Sequence, residues 1–325
     1  MKKIIGIGNS LVDYIIKLND DSYLDKIKLP KGSMNLVDAS FSSSILKDLK
    51  DNISQRAAGG STANTITGLA KLGAQTAFIG KVGKDEVGDF FKNDLKGNGV
   101  TEKMFSSSTE SGRVAALITP DSERTFATYL GASIELAAAD LKTDLFKDYD
   151  ICFIEGYLVQ NHELIETACK LAAQNKCEIC IDLASYNVVN ENRDFLKRII
   201  KEYINIVFAN EDEAKSITGA EPEKALDILS ADTDIAVVKI GKNGSMAKKD
   251  GKVYKAGVIK ANAIDTTGAG DLYASGFIYG YAQNLSIDTC CKFGAVTSGN
   301  VVEVLGAKMN EQRWKNIIDE IKRIG

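Results

Sequence analysis

Histidine and tryptophan are scarce in this chain of 325 residues, which contains one of each. The single histidine, His162, leaves a histidine-based metal site or a Ser-His-Asp triad without support, and we interpret it as a surface residue at the start of a helix. No apolar run approaches the roughly 18 residues that a membrane-spanning helix needs. Gly6 and Gly8 interrupt the short apolar run near the first residue, so we expect no secretion signal and no membrane partner.

Clusters of basic residues are also missing. The chain has 40 basic and 44 acidic residues, which give a formal net charge of −4, and no block of lysine or arginine reaches five. A protein that binds nucleic acid through a basic face carries its positive charge in such clusters. The charge pattern therefore predicts no nucleic-acid partner.

The cysteines are few for a chain of this length, and each has apolar neighbours, as reduced core thiols do. The six are Cys152, Cys169, Cys177, Cys180, Cys290 and Cys291. Cys177 and Cys180 have the spacing of a zinc or redox pair, but residues 178–181 have a strand pattern. Alternation along a strand puts the two thiols on opposite faces, so we interpret both as core residues. A reducing, cytoplasmic location is expected.

The order of the apolar runs predicts an α/β fold. Several short, continuously apolar segments are each followed by a helical pattern, which is typical of a mostly parallel sheet with helices on both faces. These segments are residues 3–8, 75–82, 150–155, 178–183, 204–209 and 235–240. The length allows about two domains or one large α/β unit. Residues 311–324 form a final amphipathic helix pattern.

Two stretches, residues 11–38 and 113–130, are strand-like and lack intervening helices. Residues 114–119 and 124–130 flank a Pro120-Asp121-Ser122 turn and predict an antiparallel hairpin. With strands at 14–18 and 33–37 the hairpin forms a small sheet, which we expect to act as a lid over a site, a dimer contact or both. The predicted division is a main domain of residues 1–10, 39–112 and 131–325, with a lid of residues 11–38 and 113–130.

The most informative motif is Asp265-Thr266-Thr267-Gly268-Ala269-Gly270-Asp271, which precedes a helical pattern. Bare glycine amides at a helix start favour a bound anion such as phosphate. An acidic side chain beside that anion is costly unless it orients a hydroxyl and accepts its proton. Because the proton leaves late in a loose phosphoryl-transfer transition state, a weak base such as Asp271 suffices. The alternative is an aspartate that only caps a helix.

Other phosphate-binding motifs are excluded. The sequence contains no Gly-x-x-x-x-Gly-Lys-Ser/Thr, so it has no P-loop. Leu11 stands where a dinucleotide fingerprint beginning at Gly6 needs its third glycine, and Tyr273 stands at that place after Gly268. A dinucleotide-dependent oxidoreductase is therefore disfavoured.

A second motif, Gly59-Gly60-Ser61-Thr62-Ala63-Asn64, enters a helical pattern that stops at Gly73. The glycine pair permits close approach of a ligand to the backbone, and the Asn64 amide has the chemistry to bind a sugar hydroxyl. A well-capped helix after a Gly-Gly turn explains the same residues. The motif alone leaves both interpretations open.

The two motifs in this order resemble those of the ribokinase-like carbohydrate and nucleoside kinases, the PfkB family. Residues 59–88 are similar to the N-terminal motif of that family and residues 265–276 to its C-terminal motif. The resemblance implies a ribokinase-like fold and names Asp271 as the catalytic base. It also implies an anion hole formed by Gly268, Ala269 and Gly270, and substrate contacts from Asp13, Gly59, Gly60 and Asn64.

The resemblance further implies a nucleotide site with ATP and Mg²⁺ as cofactors. The residues that match nucleotide contacts are Asn210, Lys239, Gly241 and Gly244. Glu213 matches an acidic residue that helps to place Mg²⁺ through water, which suits an ion that keeps several waters. Asp265 and Thr267 match a monovalent-cation loop that takes K⁺, but the sequence after Val301 departs from the commonest form of that loop. The departure weighs against potassium activation.

The function implied is ATP-dependent transfer of the γ-phosphoryl group to a primary hydroxyl of a sugar or nucleoside. The run at residues 59–62 and the segment 123–126 look most like bacterial adenosine kinase-like members. Ribokinase-, fructokinase- and 2-keto-3-deoxygluconate kinase-type acceptors stay open. A member that binds a sugar or nucleoside without catalysis is the alternative from another class.

Overall fold

The strands and helices alternate along most of the chain, as the apolar runs predict. The computed structural model describes residues 1–121 and 123–325; Ser122, part of the predicted turn, lies outside the described residues. The strands are β1 Ile4–Ile7, β2 Leu11–Lys17, β3 Met34–Leu36, β4 Ile53–Gly59, β5 Thr76–Gly83, β6 Val100–Ser107, β7 Gly112–Ile118, β8 Arg124–Tyr129, β9 Ile151–Glu155, β10 Glu178–Asp182, β11 Ile206–Asn210, β12 Ile235–Lys239, β13 Ser245–Lys249 and β14 Lys252–Ala256.

Helices connect most of these strands. They are α1 Ser22–Ile27, α2 Ala39–Asp48, α3 Ser61–Lys71, α4 Glu86–Gly97, α5 His162–Gln174, α6 Tyr186–Glu191, α7 Arg193–Tyr203, α8 Glu211–Thr218, α9 Pro222–Asp232, α10 Ala269–Ala282, α11 Ile287–Val301 and α12 Glu311–Ile324. The last helix has the predicted bounds, and His162 begins α5 with an exposed side chain, also as predicted. Across residues 1–121 and 123–325, no helix is both long and apolar enough to cross a membrane.

A nine-stranded sheet forms the centre, in the order β14-β13-β12-β11-β10-β9-β1-β5-β6. The strands from β6 to β12 in this order pair in parallel, whereas at the other edge β13 pairs antiparallel with both β12 and β14. Parallel strands need crossover helices, which cover both faces of the sheet. The predicted α/β architecture is therefore confirmed.

The two faces of the large sheet carry separate apolar clusters, because side chains alternate along each strand. Phe153 and Phe208 face α3 and α10, and the Phe208 ring lies edge-on to Phe277 with centroids 5.4 Å apart. The opposite cluster packs against helices α5 to α9. Cys180 belongs to the first cluster and Cys177 to the second, so the predicted burial of both thiols on opposite faces is confirmed.

A five-stranded sheet lies apart from the large one, in the order β3-β8-β7-β2-β4. The predicted hairpin is present as the antiparallel pair β7–β8. The sequence prediction assigns residues 39–112 to the main domain, but β4 belongs to the small sheet because it pairs antiparallel with β2. It also predicts no helix within residues 11–38, but α1 forms there; it has six residues and buries only Leu24, so no helical periodicity marks it.

The carboxyl ends of the central parallel strands meet at one edge of the large sheet. Asn9 follows β1, whereas β9 to β12 end on Glu155, Asp182, Asn210 and Lys239. Open α/β sheets bind ligands at this edge. The first turn of α10 and the small sheet border the same edge, so the fold brings both sequence motifs to one place.

Candidate active site

A cavity of about 1790 Å³ lies between the carboxyl edge of the large sheet and the small sheet. A pocket for one small molecule usually has about 300–1,000 Å³, so this cavity has room for two substrates. The predicted site residues that line it are Asp13, Gly60, Asn64, Asn210, Glu213, Lys239, Gly241, Gly244, Thr267, Gly268, Ala269, Gly270 and Asp271. Gly59 and Asp265 lie behind the cavity wall rather than on it.

Asp271 lies in the first turn of α10, where that helix meets the start of α3. Its Oδ1 atom accepts a hydrogen bond from the Ser61 hydroxyl at 2.7 Å, and its Oδ2 atom accepts one from the Asn64 amide nitrogen at 2.9 Å. Burial raises the pKa of Asp271 to about 6, while the hydrogen bonds from Asn64 and Ser61 oppose that rise. The carboxylate is therefore held in one orientation and is ionised at neutral pH, as a proton acceptor must be.

The loop before α10 presents backbone amides to the cavity. Gly268 adopts a φ of +76°, and a Cβ there would lie 2.6 Å from the Ala307 Cβ, so glycine is required. The amide of Ala269 donates to the Thr266 carbonyl at 3.1 Å in a turn, whereas those of Gly268, Gly270 and Asp271 have no acceptor within the described part of the chain. The Ala269 amide is thus already engaged, and the amides open to an anion are the other three.

Lys239, at the end of β12, adds a positive charge beside this loop. Its Nζ atom lies 2.6 Å from Asp182 Oδ2 and would be 3.1 Å from a Cβ at position 270, so Gly270 lets the ammonium reach the loop. Burial alone lowers the pKa of Lys239, but Asp182 and Glu213 outweigh it and raise the pKa above its ordinary value. Lys239 is therefore a fixed cation next to the open amides.

Asp13 extends from β2 of the small sheet toward the same cavity. Burial raises its pKa to about 7, with Lys308 lowering and Asp271 raising it. A Cβ at position 59 would lie 2.2 Å from Asp13 Oδ2. Gly59, predicted as a substrate contact, therefore makes room for the Asp13 carboxylate. Gly60 lines the cavity with a φ of +95°.

Glu213 and Asn210 form a capping box at the start of α8. The Glu213 carboxylate accepts from the Asn210 backbone at 2.8 Å and from its side-chain amide at 2.7 Å. Burial and repulsion by Asp182 raise the pKa of Glu213 to about 7. The carboxylates of Glu213 and Asp182 are both buried and repel each other close to the loop before α10, so a positive charge beside them is favourable.

These residues fit a Mg²⁺ ion that is held mainly by phosphate and water. Within residues 1–121 and 123–325, no group of three or more metal-ligating side chains is present. Mg²⁺ keeps several waters and needs only one or two carboxylates besides substrate phosphates. Asp182 and Glu213 line the cavity, and because their oxygens already accept from Lys239 and Asn210 they would hold such an ion through its waters. The role that the sequence predicts for Glu213 stays a prediction.

The turn after β12 lines the end of the cavity next to Lys239. Gly241 and Gly244 have φ values of +52° and +93°, and a Cβ on Gly244 would lie 2.0 Å from the Ala256 carbonyl oxygen. Larger residues would displace this turn from the cavity. Its exposed backbone and the Lys242 side chain are placed to meet a phosphate chain.

An arginine of β8 contacts the predicted monovalent-cation loop. The Arg124 guanidinium lies 2.6 Å from Asp265 Oδ2 and donates to Thr267 Oγ1 at 3.0 Å. Asp265 also accepts from the amides of Thr267 at 2.9 Å and Gly306 at 2.6 Å. Because the Asp265 carboxylate already has a guanidinium and two backbone amides as partners, it has no unbalanced charge with which to attract K⁺.

Three further residues at this site are missed by the sequence motifs: Glu155, Asp182 and Arg124. Glu155 is buried and accepts from the Asn9 backbone at 2.9 Å and from the Thr62 amide at 2.9 Å, which joins β1 to the start of α3. Glu155 and Asp182 share one signal, an acidic residue that ends an apolar strand. The partner of Arg124 follows only from the fold.

The fold and the site together define a kinase class. The family model of the "pfkB family carbohydrate kinase" matches residues 36–313, so the chain belongs to the PfkB family. It is a kinase that transfers a phosphoryl group to a hydroxyl acceptor, and the ribokinase-like resemblance is confirmed.

Two solved structures resemble the whole chain. A "probable sugar kinase protein" from Rhizobium etli is 32% identical, with a TM-score of 0.88 over 99% of this chain and 98% of its own. The adenosine kinase from Sinorhizobium meliloti is 30% identical, with a TM-score of 0.87 over 98% of this chain and 99% of its own. Among curated proteins, a 5-dehydro-2-deoxygluconokinase from Listeria monocytogenes is 28% identical over 283 residues, which is 82% of this chain and 86% of the relative.

Proposed function

We propose that this kinase transfers the γ-phosphoryl group of ATP to a primary hydroxyl of a neutral, nucleoside-type acceptor, as an adenosine kinase does. The observation that carries this proposal is the position of Asp271. Its carboxylate is held by Ser61 and Asn64, beside the open amides of its loop, in one cavity with Asp13. That arrangement suits attack of an alcohol on a phosphoryl group.

The acceptor lies between the two aspartates in this proposal. Asp13 accepts hydrogen bonds from hydroxyl groups of the acceptor ring and so fixes its orientation. Asp271 accepts the proton of the attacking hydroxyl as the new oxygen–phosphorus bond forms, while the bond from the γ-phosphorus to the β–γ bridging oxygen breaks and ADP leaves. Transfer of that proton to a positioned carboxylate typically contributes about 10²–10⁴-fold in rate.

The nucleotide lies along the other half of the cavity. The amides of Gly268, Gly270 and Asp271, together with Lys239, stabilise the negative charge of the transferred group. The turn from Gly241 to Gly244 holds the remaining phosphates. Mg²⁺, when bound, neutralises charge on the β- and γ-phosphates, and Glu213 and Asp182 would hold its water shell.

The acceptor end of the cavity favours an apolar group over a carboxylate. The small sheet and the segment after it contribute Met34, Leu36, Phe126, Leu130 and Ile134 to the lining. Met34, Leu36 and Ile134 are 58%, 62% and 58% exposed and line the same cavity, and such a group of exposed apolar side chains is typical of a ligand-binding surface. A nucleoside base has the flat apolar faces to cover them.

The second candidate is a sugar-acid acceptor of the kind named for the 5-dehydro-2-deoxygluconokinase relatives. Such an acceptor carries a carboxylate, which proteins usually bind with arginine or lysine. Among the described residues, the lysines and arginines that line the cavity are Lys239 and Lys242, both at the nucleotide end. The acceptor end thus lacks the cation that this substrate class needs.

A panel assay tests the proposal. ADP release would be measured with purified protein, ATP, Mg²⁺ and one acceptor at a time: adenosine, inosine, ribose, fructose, 2-keto-3-deoxygluconate and 5-dehydro-2-deoxygluconate. We expect the highest kcat/KM with a nucleoside, and a loss of kcat of about 10²–10⁴-fold with every acceptor in the Asp271→Asn variant. Preference for either gluconate would replace the first candidate by the second, and acceptor binding without turnover would indicate a non-catalytic member.

We also infer a cytoplasmic location. The six cysteines are buried and free, which suits a reducing compartment. Dimerisation through the small sheet stays a prediction, and the oligomeric state in solution tests it.

A further inference from the structure

A second, small cavity lies behind Asn64, on the side of this residue that faces away from the main cavity. Its volume is about 20 Å³, and Thr67, Lys308 and Trp314 contribute to its wall. Asn64 lines both cavities, so this residue borders the main cavity and the small one. A cavity of this size holds about one water molecule.

Three polar atoms of this wall lack a hydrogen-bond partner among the described residues. They are Asn64 Oδ1, Thr67 Oγ1 and Lys308 Nζ, and all three are buried. The carboxylate nearest to the Lys308 ammonium is that of Asp94, whose Oδ2 atom is 3.7 Å away and too far for a hydrogen bond. A buried polar atom left unpaired costs about 1–3 kcal/mol, so three in one cavity indicate a shared partner.

We propose that this cavity is a water-binding site and that Lys308 is a positioning residue, acting through the water and Asn64 on Asp271. This inference rests on the proposed role of Asp271 as the base. The water accepts a hydrogen bond from the Lys308 ammonium and donates to Asn64 Oδ1. The Thr67 hydroxyl, which both donates and accepts, takes its remaining bond.

This arrangement fixes which end of the Asn64 amide faces the base. The amide nitrogen now donates to Asp271 Oδ2 at 2.9 Å, and the oxygen is buried without a protein partner. In this proposal the oxygen accepts from the water that Lys308 holds. A flipped amide would place its oxygen against the Asp271 carboxylate and its nitrogen toward the ammonium. Both contacts of the flipped state are repulsive, so Lys308 and the water stabilise the orientation that serves Asp271.

The consequence is an effect on the protonation of Asp271. The hydrogen bond from Asn64 lowers the pKa of Asp271 against the rise that burial causes. The charged and titratable groups that face Asp271 from the surrounding elements are Asp13, Glu155, Tyr157, Asp182 and Lys239. Replacing Thr67 alters none of these charges, whereas Lys308 lowers the pKa of Asp13, so a Lys308 variant also changes Asp13 and its repulsion of Asp271.

The test therefore separates the donor of Lys308 from its charge. Lys308→Met removes both, whereas Lys308→Gln removes the charge and keeps an N–H for the water. Thr67→Val removes the hydroxyl at nearly constant volume and leaves every charge in place. Lys71→Met is the matched control, since Lys71 lines the same cavity but pairs with Glu311 through its ammonium.

The titration of Asp271 is followed by ¹³C NMR of protein labelled at the aspartate carboxyl carbons, and Asp271→Asn identifies its signal. This readout needs no turnover, so it stays informative even if the proposed kinase activity fails. We expect Lys308→Met and Thr67→Val to shift the pKa of Asp271 upward by about one unit. Lys308→Gln should shift it less, and Lys71→Met should leave it unchanged.

A crystal structure of the wild-type protein at a resolution that shows waters completes the test. A water in contact with Asn64, Thr67 and Lys308 supports the proposal, and its loss in Lys308→Met supports it further. An empty cavity, a flipped Asn64 amide or equal titration curves for Lys308→Met and wild type would overturn it. Equal shifts for the Met and Gln variants, with none for Thr67→Val, would assign the effect to charge alone and also overturn it.

Discussion

Arg124 and Asp265 form a buried ion pair between the small sheet and the loop that precedes α10, with the guanidinium 2.6 Å from Asp265 Oδ2. The two side chains are 9% and 3% exposed, so the pair is protected from solvent. The guanidinium also donates to Thr267 Oγ1 at 3.0 Å. Arg124 of the small sheet thus contacts the loop before α10, whose open amides we propose to bind the phosphoryl group.

This pair predicts that potassium does not activate the enzyme. The charge of Asp265 is already neutralised, so phosphoryl-transfer rates in K⁺, Na⁺ and tetramethylammonium chloride at equal ionic strength should agree. Replacing Arg124 by Met should destabilise the fold by about 3–5 kcal/mol, because Asp265 is left buried and unpaired. Denaturant unfolding measures that loss, and clear activation of the wild-type enzyme by K⁺ would show that the cation loop is functional.

Replacing Asp271 by Asn should strongly reduce catalysis and spare nucleotide binding. We expect kcat to fall by about 10²–10⁴-fold, since Asn accepts no proton. The ATP dissociation constant, measured by calorimetry, should stay near that of wild type because the amides and Lys239 remain. Asp319→Asn, on the exposed side of α12, serves as the control. Turnover near the wild-type rate would exclude Asp271 as the base.

The rate should fall as the pH decreases through 7 toward 6. The pKa of Asp13 is about 7 and that of Asp271 about 6, and both residues act as carboxylates in the proposed mechanism. The two interact, so the acidic limb of the kcat/KM profile reports the pair rather than either residue. The Asp13→Asn variant lacks the repulsion between the two carboxylates. The acidic limb of its kcat/KM profile then reports Asp271 alone and should move to lower pH. A profile that is flat between pH 5 and 8 would contradict this assignment.

Gly59→Ala should weaken acceptor binding specifically. The added Cβ would lie 2.2 Å from Asp13 Oδ2, so the carboxylate must move away from the acceptor. We expect a raised KM for the acceptor and an unchanged KM for ATP. Gly97→Ala is the matched control, because a Cβ there meets no atom within 4 Å and its backbone is helical. Equal effects on the two KM values would show a general disturbance instead.

Asp13→Asn should stabilise the fold at alkaline pH while it impairs activity. Burial raises the pKa of Asp13 from 3.8 to about 7, so the ionised form is disfavoured in the folded state. The stability associated with the protonated form is complete below about pH 4 and is lost as the pH rises through 7. The midpoint of thermal unfolding should therefore increase in the variant at pH 8 and change less at pH 5. A decrease at pH 8 would mean that the Asp13 carboxylate has favourable partners.

The alternation of strands and helices is predictable from the sequence because buried parallel strands are continuous apolar runs. The helix at residues 311–324 is predictable as well, because its apolar residues Trp314, Ile317 and Ile321 recur at helical spacing along one face. The short helix α1 is not predictable, since it buries one residue. The membership of β4 in the small sheet depends on pairing with β2, which only the folded chain shows.

The residues of the candidate site are also of two kinds: some can be predicted from a local motif, and others cannot. Asp271 and its glycines are marked by a local motif, because an anion-binding loop needs contiguous backbone. Partners from distant elements leave no such mark: Lys239 reaches Asp182, and Arg124 reaches Asp265, only after the strands assemble. The same reason explains why Gly59 is predicted as a substrate contact, although its role is to leave space for a side chain on the neighbouring strand.

The two aspartates of the site belong to different layers of the molecule. Asp13 lies on the small sheet and Asp271 on a helix of the main body, and their negative charges repel each other. A hydroxylated molecule that donates to both would offset that repulsion and draw the layers toward one another. The angle between the two sheets would then depend on whether an acceptor is bound whose hydroxyl groups are spaced to contact both aspartates. Phosphoryl transfer would occur only to such an acceptor.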